Sequence, residues 1–165
     1  MQYQHNILSG EAHDLSEQQL VDCDPYNYGC SGGWMAYAYY YARNGMNLEG
    51  DYPYTGMDGS CSKRADTYVS TETENTWGFY EEYAVSPDRM KALIRTTVPA
   101  VAVTASDFGW RYYSGGIVSE DCGYGSINHA VNAVGYGFDE DLQMPFYLIK
   151  NSWGDRWGEG GFIKI

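Results

Sequence analysis

Polar and apolar positions keep a helical spacing over roughly the first 45 residues of this 165-residue chain. Leu15-Ser16-Glu17-Gln18-Gln19-Leu20 reads as a helix start. Ser16 is the N-cap, Gln19 three positions on completes a capping box, and Leu15 is placed to staple onto Leu20. Cys23-Asp24-Pro25 cuts that helix short. A second helix is predicted from about Gly33 to Arg43, through Trp34, Met35, Tyr37, Tyr40 and Tyr41, with its aromatic side chains read as core. Asn44-Gly45 supplies its stop. Residues 46 to about 82 carry turn signals such as Asp51-Tyr52-Pro53-Tyr54 and Asp58-Gly59, and read mainly as loop.

A third helix follows, with Ser86 as cap, Pro87 in the first helical position, and Met90, Leu93 and Ile94 on one face. The period then changes to that of strands: Val98 to Ala105, Ala130 to Gly137, Phe146 to Trp153 and Gly161 to Ile165. There is no internal repeat. Helices early and strands late predict an α+β fold rather than an alternating one.

Composition narrows the partners. Apolar residues at 44% with charged residues at 19% suit a packed core and exclude wholesale disorder. Lys and Arg number 10 against 22 Asp and Glu, a net charge of −12. Such a chain lacks the basic surface that neutralises phosphates, so no nucleic-acid partner is expected. No stretch approaches the roughly 20 apolar residues of a spanning helix, so no membrane partner is expected either. Met1-Gln2-Tyr3-Gln4-His5-Asn6 has neither a basic nor an apolar leader region, so no signal peptide is read.

The four cysteines, Cys23, Cys30, Cys61 and Cys122, form no C-x-x-C pair, and His5, His13 and His129 show no ligand spacing. No metal and no organic cofactor are therefore expected. Scattered cysteines in an aromatic, loop-rich chain suit disulfides and an oxidising compartment, with three pairings open; a free, reactive Cys30 is the competing reading. Asp139-Glu140-Asp141 reads as a solvated hairpin loop, because Met144 and Lys150 stand where a calcium loop needs Gly and Glu.

The stretch richest in chemistry is Ile127-Asn128-His129-Ala130-Val131, running to Gly135-Tyr136-Gly137, followed by Phe146 to Gly154. A regular hairpin turning at Glu140 sets His129 opposite Asn151, on one face and within side-chain reach. An amide oxygen beside an imidazole fixes its tautomer. The expected arrangement has Asn151 accepting from Nδ1–H, which leaves Nε2 for a nucleophile. Such a pair serves a thiolate, which needs an oriented imidazolium more than a further negative charge. Trp153, two positions beyond, is placed to shield the bond from water.

These strings, with Lys150-Asn151-Ser152-Trp153-Gly154-Asp155-Arg156-Trp157-Gly158, resemble the histidine and asparagine motifs of papain-like cysteine peptidases, the cathepsin group. Leu15 to Asp24, Gly29-Cys30-Ser31-Gly32-Gly33, Tyr52-Pro53-Tyr54 and Tyr113-Ser114-Gly115-Gly116-Ile117 resemble further segments of that family, in its order. The resemblance implies a two-lobed α+β fold, with residues 1–75 as the remainder of a helical left lobe and 76–165 as a β-rich right lobe of one peptidase domain. It implies catalytic roles for His129 as base and acid and for Asn151 as its orienter. Substrate-binding positions would be Gly32, Gly33, Trp34, Met35, Val103, Ile127, Asn128 and Trp153. It further implies a Cys23–Cys61 disulfide, a peptide or protein substrate, protein inhibitors as partners, and a lysosome-like or extracellular location.

The family's nucleophile sits in a C-G-[SA]-C-[WY] motif about 130–150 residues before the histidine, which falls upstream of Met1. No such motif occurs in the chain, and Cys30 already matches the substrate loop. By the same resemblance, Cys30 and Cys122 lack their disulfide partners, and the final strand stops short. Truncation at both ends is the expected cause, and the chain alone is expected to be inactive. The alternatives are a catalytically dead homologue that binds peptides or proteins and, from 17 Tyr and 5 Trp, an unrelated aromatic-rich sugar-binding module.

Overall fold

The computed structural model describes residues 1–69, 81–106, 108–119 and 125–165. The chain divides into two compact units, Met1–Tyr83 and Ala84–Ile165. The boundary expected between residues 75 and 76 lies outside the described residues, as does Cys122.

Among its described residues the first unit holds three α-helices: α1 (Gln2–Ser9), α2 (Glu17–Cys23) and α3 (Met35–Ala42). A two-stranded ladder pairs β1 (Met46–Asn47) with β2 (Tyr68–Val69). Helix α1 has no counterpart among the elements predicted from the pattern. It stops at Gly10, whose left-handed backbone (φ 76°) lets its N–H close on the Asn6 carbonyl.

Helix α2 starts where expected, with the Ser16 hydroxyl accepting from the Gln19 N–H at 2.9 Å. The capping box is only half made, because the Gln19 side chain does not turn back to Ser16. It accepts from the Asn47 N–H at 2.6 Å and donates to the Tyr41 hydroxyl at 3.1 Å. The Ser16 N–H instead finds the Asn47 carbonyl. Gln19 is fully buried, so its amide must be satisfied inside the unit, and doing so fastens α2 to α3 and β1. Leu15, Tyr41, Ala42 and Met46 form the apolar core of this unit.

Gln18 does the same for the long loop. Its amide accepts from Thr55 and Gly56 N–H groups and donates to Met57 O and Asp22 Oδ1. Cys23 is bonded to Cys61 across 38 residues, as the resemblance implied. In a chain-entropy account a closure of that length contributes about 4 kcal/mol.

Helix α3 begins two residues later than predicted, and its aromatic side chains are not all core. Tyr41 is buried, whereas Tyr37 and Tyr40 are exposed and cluster with Tyr26 on the surface. An eight-residue helix offers one narrow face to a core, and Tyr41 and Ala42 occupy it.

The second unit contains α4 (Pro87–Thr96), α5 (Phe108–Arg111) and an antiparallel sheet. Its strands are β3 (Ala100–Val103), β4 (His129–Asp139), β5 (Met144–Lys150) and β6 (Phe162–Lys164), in the order β3-β4-β5-β6. Ser86 caps α4 through Arg89 N–H, with Pro87 in the first turn, as predicted. The short α5 is an addition to the predicted elements. Ile94, Ala105, Trp110, Tyr113, Val131, Ala133, Ile149 and Ile163 form the core.

The β4–β5 register differs from the expected one. Asn132 pairs with Lys150 and Ala133 with Ile149; beyond a bulge, Gly135 pairs with Leu148. The turn sits beyond Glu140, where Asp139 Oδ1 accepts from the N–H groups of Asp141 and Leu142 and Gln143 takes a left-handed φ of 54°. His129 is thus two residues out of step with Asn151 rather than directly opposite. Because side chains alternate faces every residue, a shift of two keeps both on one face, where a shift of one would have separated them.

Candidate active site

His129 opens β4 and is paired with Val103 of β3; Asn151 follows the last residue of β5. Their side chains meet diagonally, with His129 Nε2 at 2.8 Å from Asn151 Oδ1. Asn151 is buried and its main-chain N–H is tied to Gly161 O at 3.0 Å, so the amide is held from behind by the turn before β6.

The same Oδ1 accepts from the Ser152 N–H at 2.8 Å. A main-chain N–H only donates, so this contact identifies the amide atom as oxygen, and an amide oxygen only accepts. His129 Nε2 must therefore carry the proton. This reverses the expected tautomer: Nε2–H is held by Asn151, and Nδ1 is the nitrogen left to take a proton from a nucleophile.

Two indoles contact the imidazole, and a third packs against both of them. Trp153 lies against it at 5.2 Å between ring centroids, tilted by 31°, and Trp110 meets it edge-on at 6.4 Å. Trp157 stacks on Trp110 at 6.1 Å and donates its indole N–H to the Trp110 carbonyl. Trp153 thus lies on the imidazole of the pair. Trp110 and Trp157 escape a reading of the sequence, because the signal for a ring wall is spatial and these residues lie 47 apart along the chain.

Of the other expected substrate positions in this unit, Val103 is half-buried and Ile127 and Asn128 are exposed. Asn128 also ties the strand end: its N–H donates to Val103 O and its Oδ1 accepts from Ala105 N–H. A depression of about 340 Å³ lies beside Asn151, among Lys150, Ser152, Gly154, Asp155, Gly160, Gly161 and Phe162. His129 does not line it, so the chemistry is not placed there.

In the first unit, Gly32 adopts φ 103°, a region open to glycine. Gly33 has a different reason for its identity. A Cβ there would fall 2.1 Å from the Asn27 amide oxygen, which accepts from the Trp34 N–H at 2.7 Å. Trp34 is half-buried and bonds through its indole N–H to the Glu81 carboxylate; Met35 is half-buried beside it.

Cys30 is an exposed free thiol whose N–H donates to Asp58 Oδ1. Desolvation, together with the carboxylates of Asp58 and Asp22, pushes its titration up from the ordinary thiol value. Its surroundings therefore favour the neutral thiol, the opposite of what a nucleophile requires.

His5 and His13 are not as separate as their spacing suggested: their rings lie 5.0 Å apart, with Glu11 beside them. That is the one group of potential metal ligands among the described residues.

Comparisons with known proteins bear on the family of the chain. The model for the papain family of cysteine proteases matches residues 1–165. Cathepsin L of Sarcophaga peregrina is 40% identical over 168 residues, covering 98% of this chain and 48% of that protein. Procathepsin L of Rattus norvegicus is 39% identical over 166 residues, with 96% and 48% covered. The cysteine protease CMS1MS2 of Carica candamarcensis, solved in complex with E-64, superposes with a TM-score of 0.82 at 39% identity, covering 98% of this chain and 71% of its own. The chain thus spans about half the length of these two curated relatives. With its α+β papain-like fold, it belongs to the papain family of cysteine proteases.

Proposed function

We propose that these residues supply the base half of a Cys-His-Asn peptidase site, and that together with a thiolate-bearing segment of the papain type they hydrolyse peptide bonds. The observation that carries this reading is the Asn151 oxygen held by both His129 Nε2–H and Ser152 N–H.

In that mechanism His129 Nδ1 takes the thiol proton, and Asn151 keeps the imidazolium in plane. The thiolate adds to the scissile carbonyl, and the tetrahedral intermediate collapses as Nδ1–H protonates the departing amine. Water, deprotonated by the same nitrogen, then cleaves the thioester, and the thiol is restored. Gly32, Gly33, Trp34, Met35, Val103, Ile127, Asn128 and Trp153 are assigned to the substrate, with an apolar pocket favouring a hydrophobic side chain two residues before the cleaved bond.

No C-G-[SA]-C-[WY] motif occurs in these 165 residues, and Cys30 is a poor substitute. The chain by itself is accordingly inactive in this reading. The Cys23–Cys61 disulfide and the cathepsin L relatives support a lysosome-like or extracellular compartment, with protein substrates and protein inhibitors as partners.

The test is an assay on a fluorogenic peptide, hydrophobic then basic, at mildly acidic pH. The chain alone should give no turnover, and a form carrying the thiolate-bearing segment should turn over in a manner that His129→Ala abolishes. Turnover by the chain alone that His129→Ala removes would overturn the inactivity. Inertness of the thiolate-bearing form, with peptide still bound, would favour a binding module.

A further inference from the structure

We propose that His5, Glu11 and His13 form a zinc site in the first unit. His5 lies in α1, and Glu11 and His13 lie in the segment that leads to Leu15 and α2. One ligand atom from each lies within 4.8 Å of the others. His13 Nε2 and Glu11 Oε2 are already 2.9 Å apart. Two ligands on one tetrahedral zinc, with bonds near 2.0–2.1 Å, stand about 3.3 Å from each other. The separation of that pair is thus close to that of two zinc ligands, and a ligand atom of His5 lies within 4.8 Å of both.

The independent observation is His5 itself. It is 6% exposed, and neither Nδ1 nor Nε2 has a hydrogen-bond partner among the described residues. The hydrogen bond between Glu11 and His13 accounts for two members of the cluster and leaves this imidazole desolvated with nothing to bind. A borderline cation ligated by one of its nitrogens meets that need, and two imidazoles with one carboxylate suit zinc rather than the oxygen-seeking calcium or magnesium. His13 is partly and Glu11 largely exposed, so an ion has an approach from solvent and a fourth position open to water. The site clips the end of α1 to the segment entering α2 and so acts as a structural staple for this unit. It does not depend on the peptidase reading.

Titration of the oxidised 165-residue chain with ZnCl2 alone, followed calorimetrically, tests it. One zinc should bind per chain. His13→Ala should weaken binding by at least about 100-fold, more than the loss of a mere supporting partner brings, and Glu11→Gln by about tenfold or more. Zinc at about a hundredfold excess over its dissociation constant should raise the melting temperature of the parent by roughly 5–10 °C and leave that of His13→Ala unchanged. His5→Ala is a buried change that can impair folding, so the test rests on the two more exposed ligands. Absence of zinc binding, binding that survives both His13→Ala and Glu11→Gln, or binding that His129→Ala removes instead would overturn the site.

Discussion

At the scale of single residues, the site turns on which nitrogen of His129 holds a proton. The Ser152 N–H decides it by marking the Asn151 atom as oxygen, and the bond from Nε2 follows. Nitrogen-15 NMR of the imidazole in the chain as it stands should show the Nε2–H tautomer when neutral. Asn151→Ala should let the two tautomers mix. In a form that carries the thiolate, the same substitution should lower kcat by about 100-fold with little change in KM, because it removes orientation of the base rather than contact with substrate. A neutral ring protonated at Nδ1 would contradict the geometry. Gly33 is a second single-residue matter: its missing Cβ is required by Asn27, so its conformational role is internal to the loop whatever it offers a ligand.

At the scale of elements, the long irregular segment between β1 and β2 is held by side chains of α2 rather than by ladders. Gln18 and Asp22 make the bonds that hold it, and Gln19, fully buried with its amide engaged by Asn47 and Tyr41, fastens α2 to β1 and α3 in the same way. Gln19→Leu keeps the volume but strands the Asn47 N–H and the Tyr41 hydroxyl in the interior. Urea unfolding should show a loss of about 2–4 kcal/mol, a few times the value of one hydrogen bond, because unsatisfied partners remain. The capping box visible in sequence thus did mark a helix start, but its second half was diverted to tertiary work.

At the scale of the whole molecule, a chain of net charge −12 meets acid through a few carboxylates whose ionised forms the fold favours. Burial would raise the Asp22 carboxyl, but hydrogen bonds from Tyr52, Gln18 and Gly59 outweigh it and hold it below the usual range. Asp66, beside Arg64, and Glu159, beside Lys164, are also lowered. A depressed folded value means that the unfolded chain binds more protons in this window. The stabilisation is therefore complete above the unfolded carboxylate value, near 4, and is lost as pH falls through the folded one. Urea midpoints measured downward from pH 5 should fall for the parent and fall less steeply for Asp22→Asn. An unchanged slope would show that the Asp22 bonds do not distinguish the folded state.

Periodicity and local chemistry determined the α+β class, the starts of α2 and α4, the four strands of the second unit and the presence of His129 and Asn151 on one face. Those features depend on spacing, capping groups and the two-residue repeat of a strand, all of which are local. Tertiary structure alone decided the register of β4 with β5, because a bulge and a turn beyond Glu140 moved the pairing by two residues. It decided the tautomer, since the marking hydrogen bond comes from a backbone N–H whose direction depends on the chain leaving β5. It also set Trp110 edge-on to the imidazole with Trp157 stacked on it, exposed Tyr37 and Tyr40, and set His5 beside Glu11 and His13. Each of these is a contact across the fold, and distance through space is not written in the order of residues along the chain.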